Sequence, residues 1–165
     1  MINYPRGNGV QVRNAKPGEA SSLTALCVRS KAHWGYDATF MALSAATLKV
    51  SEDDIAVGRV LVAIDDAGRV VGMACVVLDG DMADLDSLFI DPPAIGSGAG
   101  RALFDAAVAL AREQGARRMA ILADPNAAAF YERMGARYLR HAPSDAIPGR
   151  TLPFYEYDLQ SGTVS

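Results

Sequence analysis

The sequence predicts an α+β fold, a mixed α/β arrangement around a mostly antiparallel central sheet with one parallel strand pair. Three observations carry that prediction. Short Val- and Ile-rich segments alternate with segments whose apolar residues recur at helical spacing, giving the order β-α-α-β-β-β-α-β-α-β-β. Residues 59–90 form an uninterrupted run of strand-like segments joined by tight turns, which is an antiparallel meander. Residues 82–124 form a strand-helix-strand unit, whose two strands run parallel when the crossover packs back on the sheet.

Residues 10–13 open the chain as a short strand. Residues 19–31 follow as a helix, with Leu23, Leu26, Cys27 and Ser30 on one face. His33-Trp34-Gly35-Tyr36 interrupts it, and Asp37 caps a second helix ending at Leu48. Residues 51–54 read as a turn or a cap. Two strands, 59–64 and 69–78, are joined by Asp65-Asp66-Ala67-Gly68, where glycine supplies the positive φ of a tight turn. The third strand, 82–90, breaks its own alternation: Leu85 and Leu88 lie three positions apart, so a bulge near Asp86-Ser87 is expected. Beyond it, Ile95-Gly96-Ser97-Gly98-Ala99-Gly100-Arg101 precedes an amphipathic helix stopped at Gly115. Residues 118–123 form a buried strand. Asp124-Pro125 starts a helix that runs to Met134 and ends on Gly135 in the left-handed conformation. Residues 136–140 and 152–159 close the sheet, separated by a loop, 142–150. No repeat or linker divides the chain, so one domain over 1–165 with its core at about 10–159 is expected.

Composition narrows the function. The 165 residues are 50% hydrophobic and 21% charged, with mean hydropathy +0.09, enough for a core that needs no metal or disulfide. Sixteen Lys and Arg against nineteen Asp and Glu leave a net charge of −3, without the basic excess that nucleic-acid phosphates demand. Cys27 and Cys75 with His33 and His141 supply neither a redox pair nor a zinc ligand set. The two thiols are expected to be buried. Residues 1–9 hold no apolar leader, and the longest apolar run, 70–78, is under half a membrane span. The expected location is cytoplasmic, with no membrane partner.

The glycine-rich segment is the most informative motif. Glycines at 96, 98 and 100 between a strand and a helix let a ligand approach the main chain, while the helix's unbonded first-turn N–H groups point at it. That is an anion site, and a diphosphate fits it because several N–H donors share the charge. A dinucleotide fingerprint starting at Gly96 would need glycine at Arg101, a Walker loop would need G-K-[ST], and a nucleophile elbow on Ser97 would need glycine at Ile95.

Residues 95–103 resemble the acetyl-CoA pyrophosphate loop, Q/R-x-x-G-x-G/A, of the GCN5-related N-acetyltransferases. Residues 126–136 are similar to that family's N-x-x-A-x-x-F-Y-x-x-x-G-F helix, shortened by one position and with Ala136 for the aromatic. Ile95 stands where the family usually carries Gln or Arg. The resemblance covers about residues 10–159. It implies acetyl-CoA as cosubstrate, held by Leu88, Phe89 and Ile90 along the third meander strand, by Gly96, Ser97, Gly98, Ala99, Gly100 and Arg101 of the loop, and by Asn126 and Tyr131. It also implies Tyr131 as the acid for the leaving thiolate and Asp84 as the base, because Asp84 matches a position where many members carry Glu. Asp86 competes with Asp84, since the bulge decides which carboxylate faces the cleft, and water is a third option. His33, Trp34 and Tyr36 form an aromatic wall suited to an amine-bearing acceptor, a small molecule or a peptide. His141 and Arg150 are candidates for the cleft border. No metal is expected, and a homodimer is compatible with the resemblance. The activity implied is acetyl transfer to a primary amine by direct attack in a ternary complex. The alternatives are a non-catalytic CoA or acyl-CoA sensor and a nucleotide-binding protein.

Overall fold

The structure is a computed structural model that describes residues 9–160. The expectations for residues 1–8, and for the last five residues of the single domain read from the sequence, lie outside the described residues. One seven-stranded sheet organises the rest, in the order β1-β2-β3-β4-β5-β7-β6. Its strands are β1 (Gln11–Asn14), β2 (Val60–Ile64), β3 (Val70–Asp79), β4 (Met82–Ile90), β5 (Arg118–Leu122), β6 (Arg137–Pro143) and β7 (Thr151–Asp158). All neighbours are antiparallel except β4 and β5, which run parallel.

The helices are α1 (Ala20–Ala32), α2 (Ala38–Leu48), α3 (Glu52–Ala56), α4 (Ala99–Glu113) and α5 (Ala128–Arg133). The Asp37 carboxylate caps α2 by accepting the Phe40 N–H at 2.8 Å. Residues 51–54 begin a full helical turn, α3, because Ser51 Oγ accepts the Asp54 N–H at 3.1 Å. The Asp124 carboxylate accepts the Asn126 N–H at 2.9 Å, but it caps a 3₁₀ turn, Pro125–Ala127, and α5 starts only afterwards. Gly135 ends that helix at φ +97°. β6 reaches Pro143, three residues past the expected end, because its pairing with β7 continues to Pro143 opposite Thr151.

The sheet buries both faces. Alternate residues send Leu61, Ala74, Val76, Ala83 and Leu85 to one side against Leu103, Phe104 and Ala107 of α4, and Val60, Val62, Met73 and Cys75 to the other against Leu23, Leu26 and Cys27 of α1. β4 switches phase between Leu85 and Leu88. Cys75 pairs with Ser87 and Val76 with Leu85, so Asp86 is the extra residue of a bulge. Both thiols are buried and free, and burial pushes each up to about 12.

Candidate active site

The parallel pairing of β4 with β5 is short. It joins Met82, Ala83 and Asp84 to Arg118, Met119 and Ala120 and stops there, while β4 continues to Ile90. The edge of β4 from Asp86 onward therefore has no strand partner on the β5 side. The two strands bound a cavity of about 790 Å³, lined by β4 from Asp84 to Ile90, the glycine loop, α5 and the loop between β6 and β7. That volume lies within the range of small-ligand sites.

At one end sits the α4 N-terminus. Gly96 and Gly98 have φ of +85° and +93°, a left-handed conformation that favours glycine, and an added Cβ at Gly96 would meet nothing within 4 Å, so there it is backbone conformation and not space that calls for glycine. Gly100 is different: a Cβ there would sit 3.2 Å from the Phe130 ring, so its glycine allows α4 to pack on α5. Ser97 Oγ accepts the Ala99 N–H at 3.3 Å, and Ala99 is 1% exposed. Among the described residues, no hydrogen bond is made by the N–H groups of Gly96, Gly98, Gly100 or Arg101. Those donors and the helix dipole make an anion site. Ile95 is exposed at the cavity mouth and brings no polar contact, but Arg101 and Arg133 both line the cavity. Arg133 lies outside the residues singled out in the sequence, because its position on α5 says nothing of the cavity it lines.

Tyr131 is 6% exposed and lines the same cavity. Its hydroxyl makes no hydrogen bond to a described residue. Burial first, and then the Asp124 carboxylate, hold that hydroxyl well above the ordinary tyrosine range, so it keeps its proton at neutral pH. Asp84 and Asp86 both line the cavity and are exposed within it. Desolvation by the cleft walls, then the Asp86 and Asp145 carboxylates, push Asp84 up to about 6. Asp86 is raised by desolvation and by Asp54 and Asp145.

The aromatic segment is divided. Trp34 lines the cavity at 46% exposure, with His33 edge-on to it outside the lining. Tyr36 stacks on Phe40 with ring centroids 3.9 Å apart. Its hydroxyl donates to Asp124 at 2.8 Å and accepts from Asn126 at 3.1 Å and Arg150 at 3.0 Å. The cations beside the Tyr36 ring are the protein's own: Lys31 Nζ lies 5.1 Å from its centroid and Arg150 Cζ 5.3 Å. Arg150 lines the cavity, whereas His141 meets the Tyr138 hydroxyl on β6. Asn126 is drawn into this network through Tyr36 and Asp124. Like Arg133, the site residues Lys31, Asp124 and Asp145 were missed by sequence reading. The N-cap role of Asp124 was legible, but its ion pair with a helix 93 positions earlier was not.

A model of the acetyltransferase (GNAT) family matches residues 30–136, which take in β4, the glycine loop and α5. The chain belongs to the GNAT acetyltransferase family. Its fold accords with solved GNAT structures. A GCN5-related N-acetyltransferase from Rhodopseudomonas palustris is 25% identical, with TM-score 0.71 over 96% of this chain and 98% of that one. The PaiA N-acetyltransferase from Thermoplasma acidophilum, solved in complex with coenzyme A, is 13% identical with TM-score 0.74 over 90% and 98%. The YncA putative acetyltransferase from Salmonella typhimurium, solved with acetyl-CoA, is 21% identical with TM-score 0.67 over 94% and 97%. No curated protein matches the chain. Among the described residues of this GNAT acetyltransferase, no helix is long and apolar enough to cross a membrane, and no group of three His, Cys, Asp or Glu side chains could hold a metal ion.

Proposed function

We propose that this acetyltransferase takes acetyl-CoA into the cleft between β4 and β5 and passes the acetyl group directly to a primary amine. What supports the reading is one cavity that gathers the unbonded N–H groups at the α4 N-terminus, the unpaired edge of β4 and the Tyr131 hydroxyl. The N–H groups of Gly96, Gly98, Gly100 and Arg101 hold the pyrophosphate, with Arg101 and Arg133 adding charge. The main chain of Leu88 to Ile90 pairs with the pantetheine arm as an added strand would. A β4 N–H facing the thioester oxygen stabilises the tetrahedral intermediate, a contribution of about 3 kcal/mol in other enzymes.

Asp84 is the base. An ammonium has no lone pair, and a carboxylate raised to about 6 is a better proton acceptor near neutral pH than an ordinary aspartate. The amine nitrogen attacks the carbonyl carbon, the nitrogen loses its second proton to solvent as the intermediate collapses and the C–S bond breaks, and Tyr131 gives its proton to the departing sulfur. Solvent then takes the proton held by Asp84 and reprotonates Tyr131. Neither thiol takes part, since both are buried away from the cavity lining.

The test is acetyl-CoA cleavage followed by thiol release across an amine panel. Thiol release that requires an amine is the expected result. A melting-temperature rise with acetyl-CoA but no thiol release with any amine would instead identify a CoA-binding sensor.

A further inference from the structure

The ionisable groups lining the cavity separate by sign. Arg101 stands in the first turn of α4, directly after the glycine loop, and Arg133 in the last turn of α5, and both line the cavity. Lys31 pairs with Asp124 at 2.6 Å, and Arg150, 4.0 Å from the same carboxylate, donates to the Tyr36 hydroxyl at 3.0 Å. That leaves Asp84 and Asp86 of β4 and Asp145 of the β6–β7 loop, which line the same cavity and form no ion pair or hydrogen bond with any described residue. The charged groups acting on this cluster are all acidic: Asp86 and Asp145 on Asp84, Asp54 and Asp145 on Asp86. Asp54 is itself paired with Arg59. Lys49, at the end of α2, lines the cavity too, a single ammonium against three carboxylates.

Like charges crowded into one cleft with fewer counterions than carboxylates raise the energy of the free protein. A cationic ligand relieves that cost. Two nearly buried polar side chains without partners also line this cavity, Tyr131 at 6% exposure and Ser44, whose Oγ is 2% exposed as a residue and unbonded. An acceptor with a single amine loses its charge when it gives its proton to Asp84, and then leaves Asp86 and Asp145 unmatched. An acceptor with a second ammonium keeps one charge throughout the reaction.

We propose that the acceptor is a small oligoamine: one amine is deprotonated at Asp84 and acetylated, while a second, still protonated, is held between Asp86 and Asp145 with Trp34 beside the connecting chain. This rests on the acetyl-transfer reading above. The transfer itself is unchanged: an N–C bond forms, the C–S bond breaks, and the second ammonium neither gains nor loses a proton.

The test compares kcat/KM for a series of linear diamines from diaminopropane to diaminooctane with matched alkylamines and with aminobutyrate, whose carboxylate replaces the second ammonium. At least one diamine should exceed its alkylamine by about tenfold or more, with aminobutyrate poorest and the preference falling with salt. In Asp145→Asn and Asp86→Asn the ratio of diamine to alkylamine should collapse toward one, through KM for the diamine. Alkylamines acetylated as well as every diamine would overturn the oligoamine proposal and leave acetyl transfer standing. No thiol release with any amine would overturn both. The wild-type comparison decides the matter even if a variant fails to fold.

Discussion

Lys31 of α1 and Asp124 of the turn after β5 are joined by an ion pair of 2.6 Å, their side chains 13% and 17% exposed. The pair ties together two elements 93 positions apart, and Tyr36, Asn126 and Arg150 close around the same carboxylate. Burial acts to raise the Asp124 carboxyl, but the Lys31 ammonium, the Asn126 N–H and the Tyr36 hydroxyl outweigh it and hold it below the ordinary carboxylate range. Its contribution to stability is therefore present above about pH 4 and is lost as pH falls through the lowered folded value.

Asp124→Ala should destabilise the fold by about 3 kcal/mol, because it leaves Lys31 as a nearly buried, unpaired charge. Chemical denaturation at neutral pH checks this. Lys31→Met together with Asp124→Leu should cost less than Asp124→Ala alone, since no charge is then stranded.

The acid limb of the pH–rate profile should follow Asp84. With its carboxyl at about 6, kcat/KM should fall about tenfold per unit below that pH, as the protonated form cannot accept the amine's proton. Asp86→Asn removes a neighbouring negative charge, so the limb should move to lower pH. Asp84→Asn should abolish it. A limb that stays in place in Asp84→Asn would assign the base elsewhere.

Tyr131→Phe should lower kcat by at least about 100-fold, with the Kd for acetyl-CoA little changed, because the ring packing against Phe104 and Phe130 remains. Calorimetric titration with coenzyme A separates the two effects. An unchanged kcat would remove Tyr131 from the role of acid.

Gly98→Ala forces a side chain into the left-handed region at φ +93°, a cost of about 1–2 kcal/mol. Relaxation of the loop should misalign the N–H donors and weaken coenzyme A binding. Gly100→Ala should act instead on packing, through the Phe130 ring 3.2 Å from the new Cβ, and should show chiefly as a lower Tm. Titration and thermal melting of the two variants tell these effects apart.

Local patterns in the chain were enough for most of the fold. The Val- and Ile-rich runs of β2 and β3, the Asp37 and Asp124 caps, the left-handed Gly135 and the break in period at Asp86-Ser87 depend on neighbours a few positions away, so the sequence carries them directly. The anion loop was legible for the same reason: three closely spaced glycines before a helix state their own backbone chemistry. The tertiary structure decided which polar groups meet. Nothing in the sequence spacing says that Asp145 joins Asp84 and Asp86, that Arg133 shares a cavity with Arg101, or that the cations beside Tyr36 are Lys31 and Arg150. Nor does it say that β4 parts from β5 after Asp84. Charge and hydrogen bonding act through space over a few ångströms, whichever positions the chain brings there, and only the folded sheet sets those distances.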